Sequence, residues 1–93
     1  MIEFTWDPVK NLLNQRKHGV SFEEAQTVFL DESAILYKDI EHSDDEERFI
    51  LLGLSRGAKI LVVVHCYRQD DTVIRIISAR KATLSETDVY LEQ

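Results

Sequence analysis

The stretch 46–82 constrains this chain more than any other. Three runs rich in Ile, Leu and Val, at 48–54, 59–67 and 72–80, are separated by Ser55-Arg56-Gly57-Ala58 and Arg68-Gln69-Asp70-Asp71. Short apolar runs bounded by turn residues read as strands. Connections this short join neighbours, so the stretch predicts a three-stranded antiparallel meander. Its middle run is the most apolar and is placed at the centre. Gly57 is the residue of the first turn that can take a positive φ.

The remaining segments must pack on that meander. Residues 2–6 read as a short edge strand. Asp7-Pro8 then opens a helix: Asp caps the first turn, and Pro loses no hydrogen bond at the first position. Val9, Leu12 and Leu13 give it one narrow apolar stripe, and Lys17-His18-Gly19 close it. Ser21 and Glu24 have capping-box spacing, with Val20 and Ala25 as the staple. They open a second helix whose apolar face is Phe22, Ala25, Val28 and Phe29, ending near Leu30-Asp31. Residues 33–38 read as a strand and the acidic 39–47 as a solvated connection. Thr83 and Glu86 form another capping box, and a last helix runs to Leu91. The result is an α+β fold of order β-α-α-β-β-β-β-α, with helices on one face of a twisted antiparallel sheet.

All of this fits one domain spanning residues 1–93. The single cysteine, Cys66, lies in an apolar run and has no partner for an internal disulfide. Together with the lack of a basic-plus-apolar leader at the N-terminus, this points to a reducing, cytoplasmic location. The longest apolar run, 60–64, is far short of the roughly 20 residues of a membrane span. His18, His42 and His65 lack zinc-ligand spacing, and no glycine-rich loop could cradle a phosphate. No metal or cofactor is therefore expected.

Charge is divided unevenly. The net charge is −6, yet residues 1–47 carry −8, residues 48–81 carry +5 and residues 82–93 carry −3. A global charge of this sign disfavours nucleic acid, but a basic sheet in an acidic protein suggests two partners of opposite charge.

The strand registers place the basic residues. A four-residue turn at 55–58 pairs Leu54 with Lys59 and sets Arg48 opposite His65. Arg48, Lys59, His65 and Tyr67 then share one face, while Ile60, Val62, Val64 and Cys66 turn to the helices. Arg75 joins the first face only if a β-bulge shifts the last strand. Arg80 and Lys81 lie at the strand end. Arginine binds phosphate oxygens in a fork and stabilises phosphoryl charge, and histidine moves protons near neutral pH. Together they are the parts for metal-independent RNA cleavage through the 2′-OH. The alternative is a solvated strand face that happens to be cationic.

Four motifs, in order, resemble one family: Phe4-x-Trp6-Asp7-x-x-Lys10; Asn14-x-x-Lys17-His18-Gly19-Val20-Ser21-Phe22-Glu23-Glu24-Ala25; His42-Ser43-Asp44-x-Glu46-Glu47-Arg48; and Arg75-Ile76-Ile77-Ser78-Ala79-Arg80-Lys81-Ala82. They are similar to the BrnT toxins of bacterial type II toxin–antitoxin systems. The resemblance implies a RelE-like ribonuclease fold and a toxin that cuts RNA and stops translation. It also implies a BrnA-like antitoxin with a ribbon-helix-helix domain, through which operator DNA is bound indirectly. It sets Arg48, Arg80 and Lys81 at the positions of the family's basic site residues. With the register argument, the expected catalytic set is Arg48, His65 and Arg80, and the expected substrate-binding set is Lys59, Arg75 and Lys81. Tyr90 stands where such toxins often carry a tyrosine, but on a predicted helix. A non-catalytic module that binds antitoxin, and an RNA-binding protein without cleavage, are the alternatives.

Overall fold

The helix ends sit where the sequence supplies capping groups. In the computed structural model, which describes residues 2–42 and 46–93, Asp7 accepts from the Val9 N–H at 2.9 Å at the start of α1 (Pro8–His18), and Gly19 ends it at φ 70°. Ser21 Oγ accepts from the Glu24 N–H and opens α2 (Phe22–Thr27), which continues into a 3-10 turn, Val28–Leu30. The capping box at Thr83 and Glu86 is complete and begins α3 (Leu84–Leu91).

The strands are β1 (Glu3–Thr5), β2 (Ile35–Lys38), β3 (Phe49–Leu54), β4 (Ile60–Arg68) and β5 (Val73–Lys81). They form one sheet in the order β1-β5-β4-β3-β2. The meander β3-β4-β5 is antiparallel with β4 central, as its composition predicts, and β2 extends it. β1 is an edge strand but pairs parallel to β5, so the sheet is mixed. The element order is the one expected. Between β2 and β3, the acidic connection begins with a 3-10 turn, Ile40–His42. Ser43, Asp44 and Asp45, part of the acidic motif, lie outside the described residues.

Five residues, 55–59, separate Leu54 from its cross-strand partner, one more than the sequence suggests. Ser55 N–H donates to the Lys59 carbonyl at 2.8 Å, closing a loop of Arg56, Gly57 and Ala58. Ala58, not Gly57, takes the left-handed conformation, at φ 62°. Leu54 therefore pairs with Ile60 rather than Lys59, and Phe49 lies opposite His65. A slip of one residue turns every side chain of a strand to the other face. Leu61 and Val63 pack with Val20, Phe22, Ala25 and Val28 of the helical layer, where Ile60, Val62, Val64 and Cys66 were expected.

α1 also presents a different face. Val9, Leu12 and Leu13 are more than half exposed, and Asn11 and Asn14 are buried instead. The cause is the edge it covers. β1 pairs with β5 only as far as Arg75, so backbone groups further along β5 need other partners. Asn14 acts as a strand substitute: its Nδ2 donates to the Ala79 carbonyl at 2.8 Å, and its Oδ1 accepts from the Ala79 N–H at 3.2 Å. The same Nδ2 donates to the Val20 carbonyl, and Asn11 Oδ1 accepts from the Phe22 N–H, each at 2.8 Å. These bonds meet the rule that buried polar groups be paired, and they stitch α1 to α2 and to β5.

Candidate active site

A groove of 370 Å³ opens on the sheet face away from α1 and α2. Its floor is Ile50, Val62 and Val64, neighbours across β3 and β4, and Ser78 of β5 lies beside Val64. Arg48 and Arg80 line the groove, and Asp39, Glu41 and His42 complete the lining. Asp39 N–H donates to the Arg48 carbonyl at 2.8 Å, so the β2–β3 ladder runs on by one rung and sets Arg48 two residues before Ile50 on the same face.

Arg80 is held firmly. Its Nη1 and Nη2 donate to Glu86 Oε1 and Oε2 at 2.8 and 2.9 Å, an end-on fork. A third N–H reaches the Lys81 carbonyl at 3.3 Å. The Arg80 guanidinium is the main reason the Glu86 carboxyl is held at about 2, far below the usual carboxylate range. Oε1 of Glu86 also accepts from the Thr83 N–H, so this ion pair fastens the start of α3 to the groove. Burial, followed by the Glu86 charge, raises the nearby Tyr37 phenol.

A β-bulge settles where Arg75 lies. β4 and β5 are in register from Leu61 to Val64, then shift so that His65 pairs with Ile76 and Cys66 with Arg75. The extra residue on β5 is Ile77. Arg75 therefore lies on the groove's face of the sheet, which simple alternation of β5 from Arg80 would have denied it. The bulge is opposite Val64 and His65.

Three expected site residues are not brought together. His65 is fully buried on the helix side, with its ring edge-on to Phe29 at 4.8 Å. Its Nδ1 is 3.2 Å from the Val63 carbonyl and its Nε2 3.2 Å from the Tyr67 hydroxyl. A carbonyl only accepts, so Nδ1 carries the proton and Tyr67 donates to Nε2. Burial pushes the pKa of His65 down, which keeps it neutral. Lys59 also turns to the helix side, where its ammonium is 3.5 Å from Glu24. Lys81 is exposed at the end of β5, paired in register with Leu61. The expected surface of Arg48, Lys59, His65 and Tyr67 thus separates: Arg48 meets Arg80 in the groove, and the other three face the helices. Tyr90 donates to Asp31 at 2.6 Å and is not among the residues lining the groove.

Sequence reasoning missed four polar groove-lining side chains, Asp39, Glu41, His42 and Ser78, and the partner of Arg80. Asp39 and Glu41 were read as part of a solvated connection, His42 was set aside as one of three scattered histidines, and Ser78, though it shares the alternation of Arg80, carries no signal of its own. Glu86 was read only as a cap; its position six residues after Arg80 gives no periodic signal.

A larger cleft of 470 Å³ lies elsewhere, lined by Leu36, Phe49, Tyr67, Glu46, Glu47 and Asp71. Among the described residues, three carboxylates and no cation line it, whereas the smaller groove sets Arg48 and Arg80 against Asp39 and Glu41, so the smaller groove is the better candidate for a polyanion. Among the described residues no three His, Cys, Asp or Glu side chains converge as a metal site, and no helix is long and apolar enough to cross a membrane.

The molecule is a small α+β domain whose sheet carries two arginines beside an apolar groove, side chains suited to a phosphate-bearing ligand. Residues 6–86 match the family model described as "Ribonuclease toxin, BrnT, of type II toxin-antitoxin system". The chain belongs to the BrnT toxin family. Its fold is similar to that of the Brucella abortus ribonuclease toxin BrnT, with a TM-score of 0.70 and 24% identity over 89% of this chain and 99% of that one. A comparison with curated proteins gave no match.

Proposed function

We propose that this protein is an endoribonuclease toxin that cuts RNA in the Arg48–Arg80 groove and thereby inhibits translation. One observation carries the reading: in a chain of a ribonuclease toxin family, the bulged register gathers Arg48, Arg75 and Arg80 on one sheet face. The cleavage is attack of a 2′-OH on the adjacent phosphorus, a reaction that needs no metal. Arg48 and Arg80 stabilise charge developing on the phosphoryl oxygens, and Arg75, on the same sheet face, holds a neighbouring phosphate. His65 has no part in this scheme, because a neutral buried imidazole cannot reach a phosphodiester in the groove.

The proposed partner is a BrnA-like ribbon-helix-helix antitoxin, which brings operator DNA to the complex. The net charge of −8 on residues 1–47 supports a basic partner, since complementary fields speed association. Both act in the cytoplasm. Induction in a bacterial host, together with incubation of purified protein with RNA in EDTA, tests the toxin reading. Growth arrest with EDTA-resistant cleavage is expected, and intact RNA would refute it. A second reading, an antitoxin-binding module without cleavage, is favoured by the fork from Arg80 to Glu86, which already occupies one edge of that guanidinium. Growth arrest without cleavage, or neither, would favour that module.

A further inference from the structure

The groove needs a group that moves a proton, and the buried His65 cannot serve. One imidazole does border the groove. His42 is 64% exposed, and its Nδ1 lies 3.3 and 3.2 Å from the two oxygens of Asp39. The Asp39 side chain is only 12% exposed. Its backbone is bonded to that of Arg48, so the carboxylate rests on the sheet rather than on a loose loop. A carboxylate accepts only, so Nδ1 carries the hydrogen and the lone pair of neutral His42 sits on Nε2. A carboxylate that orients a histidine bordering a reaction site is an arrangement suited to acid–base catalysis.

We propose that His42, oriented by Asp39, is the general base of the cleavage. The proposal rests on the ribonuclease reading of the same groove. Nε2 takes the proton of the 2′-OH as O2′ forms a bond to phosphorus. The bond from phosphorus to the 5′-oxygen breaks, and that oxygen leaves with a proton from water. The proton held by His42 then neutralises the hydroxide formed. The products are a 2′,3′-cyclic phosphate and a 5′-hydroxyl, with no oxidant or co-reactant consumed. Arg48 and Arg80 hold the phosphoryl oxygens, while Asp39 positions the ring.

Among the described residues, the charged groups around His42 are Asp39 and Glu41 on its own turn, Arg48 just before β3 and Arg80 from β5, with Glu86 of α3 bound to Arg80. With charges of both signs around the ring, the pH dependence is measured in the whole chain.

The test is the pH profile of kcat/KM on an RNA oligonucleotide with one cut site, for the full-length protein, His42→Gln and Asp39→Asn. The unsubstituted protein should show a rising acid limb. His42→Gln should lower kcat by about 10²–10⁴, change KM little and abolish that limb. Asp39→Asn should lower kcat and keep the limb. His42→Gln within threefold of the unsubstituted protein, or with the same limb, overturns the proposal while leaving the ribonuclease reading intact. Absence of cleavage by the unsubstituted protein overturns both.

Discussion

Glu86→Gln is the substitution for which the structure gives the clearest magnitude. Gln keeps the size of the side chain and one oxygen for the Thr83 N–H, but loses the charge that Arg80 grips. Holding the carboxyl at about 2 rather than the ordinary 4.5 corresponds to about 3.4 kcal/mol at full value. Arg80 is 42% exposed, so solvent screening reduces the contribution to about 1–2 kcal/mol. For a domain of 93 residues that is a drop in Tm of about 5–15 °C at pH 7. A depressed folded-state pKa contributes stability that is fully present above the unfolded value, 4.5, and is lost as the pH falls through about 2. The gap between the two proteins, measured by urea denaturation, should therefore shrink by more than half between pH 7 and pH 3. A gap below about 0.3 kcal/mol at pH 7, or one that stays constant down to pH 3, would refute the assignment of Glu86 as the electrostatic anchor of α3.

Three further substitutions test the packing. His65→Leu should leave the rate of RNA cleavage per folded molecule unchanged. It should also flatten the fall in stability below about pH 6.5, since a buried neutral histidine stabilises above its unfolded pKa and loses that contribution as the pH drops; a catalytic defect in the folded variant would contradict this. Asn14→Ala strands both backbone groups of Ala79 and should cost about 1–3 kcal/mol by chemical denaturation, more than Leu12→Ala on the exposed side of the same helix. Gly53→Ala would set a Cβ 2.8 Å from that of Ala34 and 2.9 Å from Val28 Cγ1, and should destabilise by about 1–3 kcal/mol in the same assay.

Local chemistry made most of the fold legible. Asp7-Pro8, Gly19, Ser21 and the Thr83–Glu86 box each marked a helix end, because a cap is decided by a few adjacent residues. The meander was legible because its turns are short. Its register was not, because residues 60–64 are apolar on both faces and hydrophobicity alone cannot choose between two registers one residue apart. Only the loop decides, and Ala58 accepts a left-handed conformation that the sequence suggested for Gly57. That single residue carried His65 and Lys59 away from Arg48. α1 misled for another reason: its inner face meets a strand edge rather than an apolar core, so amides are buried and leucines are left outside. Arg48 and Arg80 could be set on one face because strand ends and motif position sufficed, whereas the pairing of Arg80 with Glu86 depended on a contact between β5 and α3.

The central claim is that the arginine groove cleaves RNA, and Arg80→Lys tests it most directly. Lysine keeps a positive charge for Glu86 and so preserves the anchor of α3, but it cannot offer phosphate a planar fork. Single-turnover cleavage of RNA by the purified, folded variant should be slower by about 10²–10³. Cleavage within threefold of the unsubstituted protein, with the Arg80→Lys variant equally stable, would contradict the account and place the chemistry elsewhere on the molecule.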